Sequence, residues 1–177
     1  MAIERLIVVD GYNVILRAPA LRPGEGRTLR EARDKLVNLL SWVVGGETTR
    51  YLVIFDGTDA GARVSGGGRV DVRYSRPPEK ADDLIRSIVE DQIERVERLT
   101  VVTSDLEVAR HARAAGADVA LADLFLASVL GTSGAGAEAG VDVKPPALSK
   151  KEVEEWAEIF RSRPRAPSQD SGDESDA

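Results

Sequence analysis

The sequence predicts an α/β protein with three layers, in which a central, mainly parallel sheet lies between helices and an extra helix follows near the carboxyl terminus. Two observations predict this class. Short apolar runs rich in β-branched residues, at 6–9, 51–55 and 99–103, lack polar alternation and are typical of strands buried on both faces. These runs alternate with amphipathic helical segments, and such alternation favours a parallel sheet with right-handed crossovers.

The first half of the chain supplies two buried strands and a helix between them. The first strand ends at Asp10. A capping-box pattern that begins at Thr28 then predicts a helix, which Gly45 ends. The second buried strand, 51–55, ends at Asp56, so each of these strands is followed by a carboxylate.

The second half continues the alternation. Apolar and polar residues alternate over 70–74, which predicts a shorter edge strand with one exposed face. An apolar stripe at helical spacing follows from Glu79, and after the strand at 99–103 a second capping-box pattern begins at Ser104. A last strand and a short apolar helix are predicted at 118–121 and 124–130.

The composition changes after this alternating region. We expect one domain over residues 1–130 and a flexible Gly- and Ala-rich linker at 131–147. A third capping box begins at Ser149 and predicts an amphipathic helix over 148–163. The Pro-, Ser- and acid-rich stretch at 164–177 predicts a disordered tail.

The composition also excludes several classes of site. The chain has no cysteine and a single histidine, His111, so it can form neither a disulfide, a thiolate zinc site nor a multi-histidine metal centre. No apolar run approaches the roughly 20 residues of a membrane span, and we expect an intracellular protein without membrane contact. The net charge is −6, but four of the acids lie in the predicted tail. The remainder is close to neutral and is compatible with local binding of nucleic acid.

Acidic residues follow the predicted strands at their carboxyl ends. Asp10, Asp56 and Asp105 each end or directly follow a buried strand, and the carboxyl ends of parallel strands meet at one edge of a sheet. The first turns of the helix after the edge strand add three more acids: Glu79, Asp82 and Asp83. Such a cluster requires a cation, and oxygen ligands alone select Mg²⁺ or Mn²⁺. Activation of water at such a site best fits phosphodiester hydrolysis.

Each of these residues also has a purely structural interpretation. Asp56 precedes glycine and is typical of a turn, while Ser104 and Asp105 are typical of a helix start. Glu79 and Asp83 are equally typical of a solvated helix end. Asn13 either adopts a left-handed turn or supports Asp10. Only Asp10 has no obvious turn or capping duty, which favours a functional role.

Arginine is far more frequent than lysine, with 19 against 5, and it is concentrated at 17–33 and 60–80. Each segment carries a local charge of +3 and adjoins a strand-end carboxylate. Arginine binds phosphate with two parallel hydrogen bonds, although GC-rich codon usage explains the bias equally well. The candidate RNA-binding residues are Arg27, Arg30, Arg69, Arg73, Arg76, Lys80 and Arg86.

Four short motifs in this order resemble the YacP-like proteins, which are NYN-domain members of the PIN-like nuclease superfamily. The motifs are Val9-Asp10-Gly11-Tyr12-Asn13, Phe55-Asp56-Gly57, Glu79-Lys80-Ala81-Asp82 and Thr103-Ser104-Asp105. The resemblance spans residues 3 to about 130 and extends to the last helix around Trp156. It departs from the family pattern at Lys80, where a small polar residue is expected, and at Arg86, where an acid is expected.

The resemblance implies a PIN-like fold and a Mg²⁺- or Mn²⁺-dependent endoribonuclease in the bacterial cytoplasm, with mRNA as substrate and the ribosome as a possible partner. It implies that Asp10 and Asp82 are the principal catalytic and metal-binding acids and that Asp105 completes the site. Asn13, Asp56 and Ser104 would support these acids. The clustering of acids at the strand ends and the family resemblance together give five supporting residues: Asn13, Asp56, Glu79, Asp83 and Ser104.

Other functions fit the sequence less well. A non-catalytic RNA- or ribosome-binding module with the same fold is the main alternative. A phosphatase with an aspartyl nucleophile requires a second acid two positions after the first, and this chain has Tyr12 there. The glycine-rich segments lack the spacing of nucleotide-binding loops.

Overall fold

Five strands form one sheet in the computed structural model, which describes residues 5–18, 21, 28–42, 48–57, 69–132 and 149–161. The strands are β1 (Arg5–Asp10), β2 (Thr49–Phe55), β3 (Val70–Tyr74), β4 (Arg98–Val102) and β5 (Asp118–Ala120). Their order is β3-β2-β1-β4-β5 and every pair is parallel. The predicted parallel sheet is confirmed, and β3 lies at its edge as its alternating residues predict.

Six helices within the described ranges cover this sheet. They are α1 (Gly11–Arg17), α2 (Leu29–Trp42), α3 (Ala81–Gln92), α4 (Leu106–Ala115), α5 (Ala122–Thr132) and α6 (Lys150–Arg161). No helix among the described residues is long and apolar enough to cross a membrane.

The two faces of the sheet carry separate apolar cores, because successive side chains of a strand point to opposite faces. In β1, Ile7 and Val9 pack with buried residues of α1, α2 and α5. Leu6 and Val8 pack on the other face with buried residues of α3, α4 and α6. The structure is therefore the predicted three-layer α/β/α arrangement, with α6 in one of its outer layers.

Helix α1 is an element that the sequence patterns do not predict. It has seven residues, fewer than the hydrophobic periodicity of a helix needs for recognition. Its first residue, Gly11, lies against β2, and a Cβ atom there would clash with the Phe55 ring and approach the Ile54 carbonyl oxygen to 3.0 Å. Glycine at this position therefore allows the chain to turn into a helix directly after β1.

The helix ends differ in part from their predictions. The capping boxes at Thr28 and Ser149 are confirmed by reciprocal hydrogen bonds with Glu31 and Glu152. The N-cap of α4, however, is Asp105 and not Ser104, so the predicted capping box there is wrong.

Two further boundaries complete the comparison. Helix α5 extends to Thr132, two residues beyond its predicted end. Apart from Gly131 and Thr132, the predicted linker at 131–147 lies outside the described residues, as does the whole predicted tail at 164–177.

Candidate metal and RNA site

The carboxyl edge of the sheet contains the point where the direction of strand addition reverses. The chain adds β2 and β3 on one side of β1 and then β4 and β5 on the other. Ligands of open parallel sheets bind in the crevice that such a reversal leaves at the carboxyl ends of the strands. Asp10, the last residue of β1, lies at this crevice beside the segment that follows β4.

Asp10 is buried, with 7% of its surface exposed. The Thr103 hydroxyl donates a hydrogen bond to Asp10 Oδ2 at 3.2 Å, and the backbone N–H of Asn13 donates to the same carboxylate. Burial and, to a smaller extent, the nearby carboxylates of Asp82 and Asp105 raise the pKa of Asp10 to about 6, against the lowering effect of these hydrogen bonds. The charged form of Asp10 is therefore held at a cost in free energy.

Asp82 is the second residue of α3 and is half-buried. Burial raises the pKa of Asp82, the carboxylate of Asp105 raises it as well, and the Arg86 guanidinium lowers it. Asp83 and Asp56 make smaller contributions in the same direction as Asp105. Asp82 thus experiences the field of acids from the end of β2, from α3 and from the β4–α4 connection at once.

Asp105 has a structural role in addition to its place in this cluster. Its Oδ1 accepts hydrogen bonds from the backbone N–H groups of Glu107 at 2.9 Å and Val108 at 3.2 Å, which caps α4. Its own backbone N–H donates to Thr103 Oγ1 at 3.0 Å. The Thr103 hydroxyl therefore connects Asp105 to Asp10, because it accepts from one residue and donates to the other.

The supporting residues lie in different positions around these three acids. Asn13 Oδ1 accepts from the backbone N–H of Ser104 at 2.7 Å and so ties α1 to the segment after β4. Asp56 is exposed, and its Oδ1 accepts from the Ser75 hydroxyl at 2.8 Å. The next residue, Gly57, has a φ of 121°, a left-handed conformation that favours glycine.

Glu79 and Asp83 lie at the exposed margin of the site. Glu79 precedes α3 rather than forming part of its first turn, and it is exposed. Asp83 is exposed, and its Oδ2 accepts from the backbone N–H of Lys80 at 3.3 Å. This bond fixes the start of α3, and hence the position of Asp82.

The candidate RNA-binding residues do not all lie at this edge. Arg76 and Lys80 are exposed on the connection from β3 to α3, on either side of the cis bond between Pro77 and Pro78. Arg69 precedes β3 and therefore lies at the opposite end of that strand.

The remaining candidates are more widely spread. Arg73 lines a cavity of about 330 Å³ between the sheet and α3, which Leu84 and Asp91 also line. Arg30 is exposed in the first turn of α2, whereas Arg27 lies outside the described residues.

Two tyrosines near this edge, Tyr12 and Tyr74, are partly incorporated into the core. The Tyr12 ring lies 5.0 Å from the Phe55 ring, and the Tyr74 ring lies 5.7 Å from it on centroid distances. The Tyr12 hydroxyl accepts from Arg33 Nη1 at 3.5 Å, and the Arg33 guanidinium lies 5.7 Å from the Tyr74 ring centroid. Both rings are half-buried, so their main contacts are within the chain.

Three residues at this edge have roles that the sequence patterns did not single out. Thr103 bridges two acids and Ser75 holds Asp56, as described above. Asp123, in the first turn of α5, has a buried Oδ1 with no hydrogen-bond partner among the described residues, and the same is true of Ser104 Oγ. Asp123 follows β5 in the same way as Asp105 follows β4, and that strand-end position is the signal that identifies it.

The donor chemistry of the site suits a hard divalent cation. Its candidate ligands are all carboxylate, amide or hydroxyl oxygens, and the pKa values of Asp10 and Asp82 are raised by burial and by neighbouring carboxylates. Within the described ranges, no group of three or more His, Cys, Asp or Glu side chains is arranged to hold a metal ion. Mg²⁺ commonly keeps several waters and uses only one or two carboxylates, so two acids are sufficient in number for such an ion.

Comparisons with known proteins agree on one family. A sequence model described as the YacP-like NYN domain matches residues 7–161. The chain is 28% identical over 102 residues to the uncharacterized protein YacP of Bacillus subtilis (strain 168), and the match covers 56% of this chain and 60% of that protein. The matched region thus spans less than two thirds of the relative's length.

Solved structures show the same relationship. The chain is similar to two crystal structures of Rae1 (YacP) from Bacillus subtilis, at 27% and 26% identity, and the first is of a mutant. Each has a TM-score of 0.59 and covers 71% of this chain and 74% of the other. Because the family match includes most of the chain, from β1 to the end of α6, the chain belongs to the YacP-like NYN domain family within the PIN-like nuclease superfamily.

Proposed function

We propose that the chain is a metal-dependent endoribonuclease that hydrolyses RNA phosphodiester bonds at the carboxyl edge of the sheet. The observation that carries this proposal is the burial of Asp10, a carboxylate whose pKa is raised in part by two further carboxylates, Asp82 and Asp105. A buried acid among acids destabilises a fold unless a cation or a proton compensates it, so its presence favours a catalytic or metal-binding role.

In this proposal, each residue of the site has a distinct role. Asp10 and Asp82 hold the divalent ion, Mg²⁺ or Mn²⁺, and the Asp105 oxygen that does not cap α4 completes the set. Such an ion lowers the pKa of a bound water and stabilises charge on the leaving oxygen of a phosphodiester. Thr103 holds Asp10 and Asp105 together through the two hydrogen bonds of its hydroxyl. Asn13 holds the backbone of Ser104 beside them.

RNA is the proposed substrate because cations adjoin this edge. Arg76 and Lys80 flank the approach to Asp82 on its amino-terminal side, and Arg30 is exposed at the start of α2. Membership of the PIN-like superfamily supports a nucleic-acid substrate. The family resemblance extends the proposal to mRNA as the substrate, the ribosome as a partner and the cytoplasm as the location.

A non-catalytic RNA- or ribosome-binding module remains the second candidate. One observation favours it, namely that no three acidic or histidine side chains in the described part of the chain are arranged to hold one ion. In that case the acids would be structural, as Asp105 already is at the start of α4.

A cleavage assay separates the two candidates. End-labelled single-stranded RNA is incubated with the full chain in Mn²⁺, in Mg²⁺ and in EDTA, and Asp10→Asn and Asp82→Asn are compared with Asp71→Asn. Asp71 is an exposed acid of β3 and serves as the matched control. We expect metal-dependent cleavage that falls more than about 100-fold in the two site variants and is unchanged in the control.

Folding of each variant is checked by circular dichroism. Cleavage by both site variants at the wild-type rate would refute the proposal. RNA binding by the wild type without cleavage under any metal condition would favour the binding module instead.

A further inference from the structure

Arg86 occupies an unusual position for a cation in this fold. It lies one helical turn after Asp82 on α3, and residues four apart in a helix lie on the same face. The Arg86 guanidinium is close enough to Asp82 to oppose the rise in the pKa of that acid. A permanent positive charge is therefore located beside one of the two principal acids of the site.

The second partner of Arg86 is on a different helix. Arg86 Nη2 lies 3.8 Å from Glu107 Oε2 in the first turn of α4, with the two side chains 37% and 83% exposed. This distance exceeds that of a hydrogen bond, and exposed ion pairs of this kind contribute little to stability. Glu107 thus lies near the guanidinium without forming a hydrogen bond to it.

The N–H donors of the Arg86 guanidinium are not all paired in hydrogen bonds among the described residues. A guanidinium carries five N–H donors, and Arg86 Nε is buried without a hydrogen-bond partner among the described residues. Because Nε is shielded from solvent although the side chain is 37% exposed, an incoming anion would reach the guanidinium from its Nη side. Phosphate is an anion with several acceptor oxygens, and the planar fork of arginine matches its oxygens in pairs.

We propose that Arg86 is a phosphate-binding residue of the site, which holds an RNA phosphate between α3 and α4 and next to Asp82. This inference rests on the proposed function and deepens it, because it assigns the contact that brings the substrate backbone to the acids. Two simpler roles compete with it: a counter-charge for Asp82 alone, and a structural link between α3 and α4.

RNA binding without cleavage tests the assignment. The affinity of the full chain for a fluorescent single-stranded RNA is measured by anisotropy in EDTA over a series of salt concentrations from low salt upward. Arg86→Gln and Arg86→Lys are compared with Arg95→Gln, which removes an exposed arginine that pairs with Asp91 beyond the far end of α3.

We expect Arg86→Gln to weaken binding about tenfold at low salt and to reduce the slope of log affinity against log salt by about 0.7, the value of one phosphate contact on a single strand. Arg86→Lys keeps the charge and should retain the slope, but it loses the paired hydrogen bonds and should bind with intermediate affinity. Arg95→Gln should leave both quantities unchanged.

Three results would overturn the inference. Unchanged RNA affinity in Arg86→Gln with tighter binding of Mn²⁺, measured by calorimetry, would make Arg86 a counter-charge only. Unchanged affinity with a lowered midpoint of thermal unfolding would make it a structural link. Failure of the wild-type chain to bind RNA even at low salt would overturn both this inference and the proposed RNA substrate. Equal RNA affinity of wild type and Arg86→Gln would remove only the role of Arg86 and would leave the proposed nuclease intact.

Discussion

At the level of single residues, the site depends on a hydroxyl that joins two acids. Thr103 is fully buried, donates to Asp10 and accepts from the backbone N–H of Asp105. Because the hydroxyl donates its only proton to Asp10, that carboxylate is favoured in its charged form. The same hydroxyl holds the backbone that caps α4, so the chemistry of Asp10 and the start of α4 are physically connected.

Replacement of Thr103 by valine tests this connection. Thr103→Val keeps the shape but leaves the Asp105 N–H without its acceptor, and we expect the free energy of unfolding to fall by about 1–3 kcal/mol in urea denaturation. Thr100→Val, on β4, is the matched control, because Thr100 Oγ1 is buried and has no partner among the described residues. The control should be neutral or stabilising, and equal losses in both variants would contradict the role of Thr103.

The raised pKa of Asp10 predicts how stability depends on pH. The carboxyl titrates near 6 in the folded chain and near 3.8 when unperturbed, so between these values the folded chain binds more protons than the unfolded one. Stability contributed by this group is therefore lost as pH rises from about 4 to 6 in the absence of divalent ions. We expect Asp10→Asn to unfold with a free energy about 1–3 kcal/mol higher than wild type at pH 7, and this gain to vanish near pH 4.

Urea denaturation in EDTA at a series of pH values measures this effect. Asp71→Asn, an exposed acid, should show no such gain. A destabilised Asp10→Asn at pH 7, or a gain that does not depend on pH, would mean that the Asp10 carboxylate is compensated within the fold.

At the level of elements, the strands were the most predictable part of the molecule and the short helix α1 the least. Runs such as 51–55 have the β-branched, uninterrupted pattern that burial on both faces requires, and the structure places them in the interior of the sheet. Helix α1 depends on the contact of Gly11 with Phe55, which lies 44 positions away in the sequence. The local sequence pattern around Gly11 does not indicate this contact.

In the candidate site, too, some features could be predicted from the sequence and others could not. The acids at the strand ends were predictable because parallel strands end at one edge, and this places Asp10 near Asp105. The bond from Thr103 to Asp10 joins residues 93 positions apart, and that from Ser75 to Asp56 joins residues 19 apart. Such contacts depend on the register of the sheet, which the sequence alone does not specify in a parallel arrangement.

Helix α6 provides a prediction at this scale. Trp156 and Ile159 are buried against the α3–α4 face of the sheet, and Arg113 of α4 donates to the Phe160 carbonyl at 3.3 Å. We expect Trp156→Ala to lower the free energy of unfolding by about 3–5 kcal/mol. Val153→Ala is the control on the same helix, since Val153 is exposed and its truncation should have an effect within about 0.5 kcal/mol.

The outcome decides whether α6 is part of the folded domain. A single cooperative unfolding transition that shifts with Trp156→Ala is the expected result. A loss in Trp156→Ala no larger than that in Val153→Ala would instead show that α6 contributes little to the stability of the sheet domain.

At the level of the whole molecule, the fold brings acids from three separate segments to the reversal point of one sheet. β1 supplies Asp10, the start of α3 supplies Asp82 and the connection after β4 supplies Asp105. The rise in the pKa of Asp10 beside Asp82 and Asp105, and of Asp82 beside Asp105, follows from this topology, because no two of these acids are neighbours in the sequence. The same arrangement places Arg86 close enough to Asp82 to oppose the rise in the pKa of that acid.

Titration of the metal-free full chain with Mn²⁺ by calorimetry tests the central claim most directly, namely that Asp10 and Asp82 hold a divalent cation. We predict saturable binding that is weakened at least about 100-fold by Asp10→Asn and by Asp82→Asn, and that is unchanged in Asp71→Asn. Equal Mn²⁺ affinity in all four proteins, or no saturable binding by the wild type, would contradict the account.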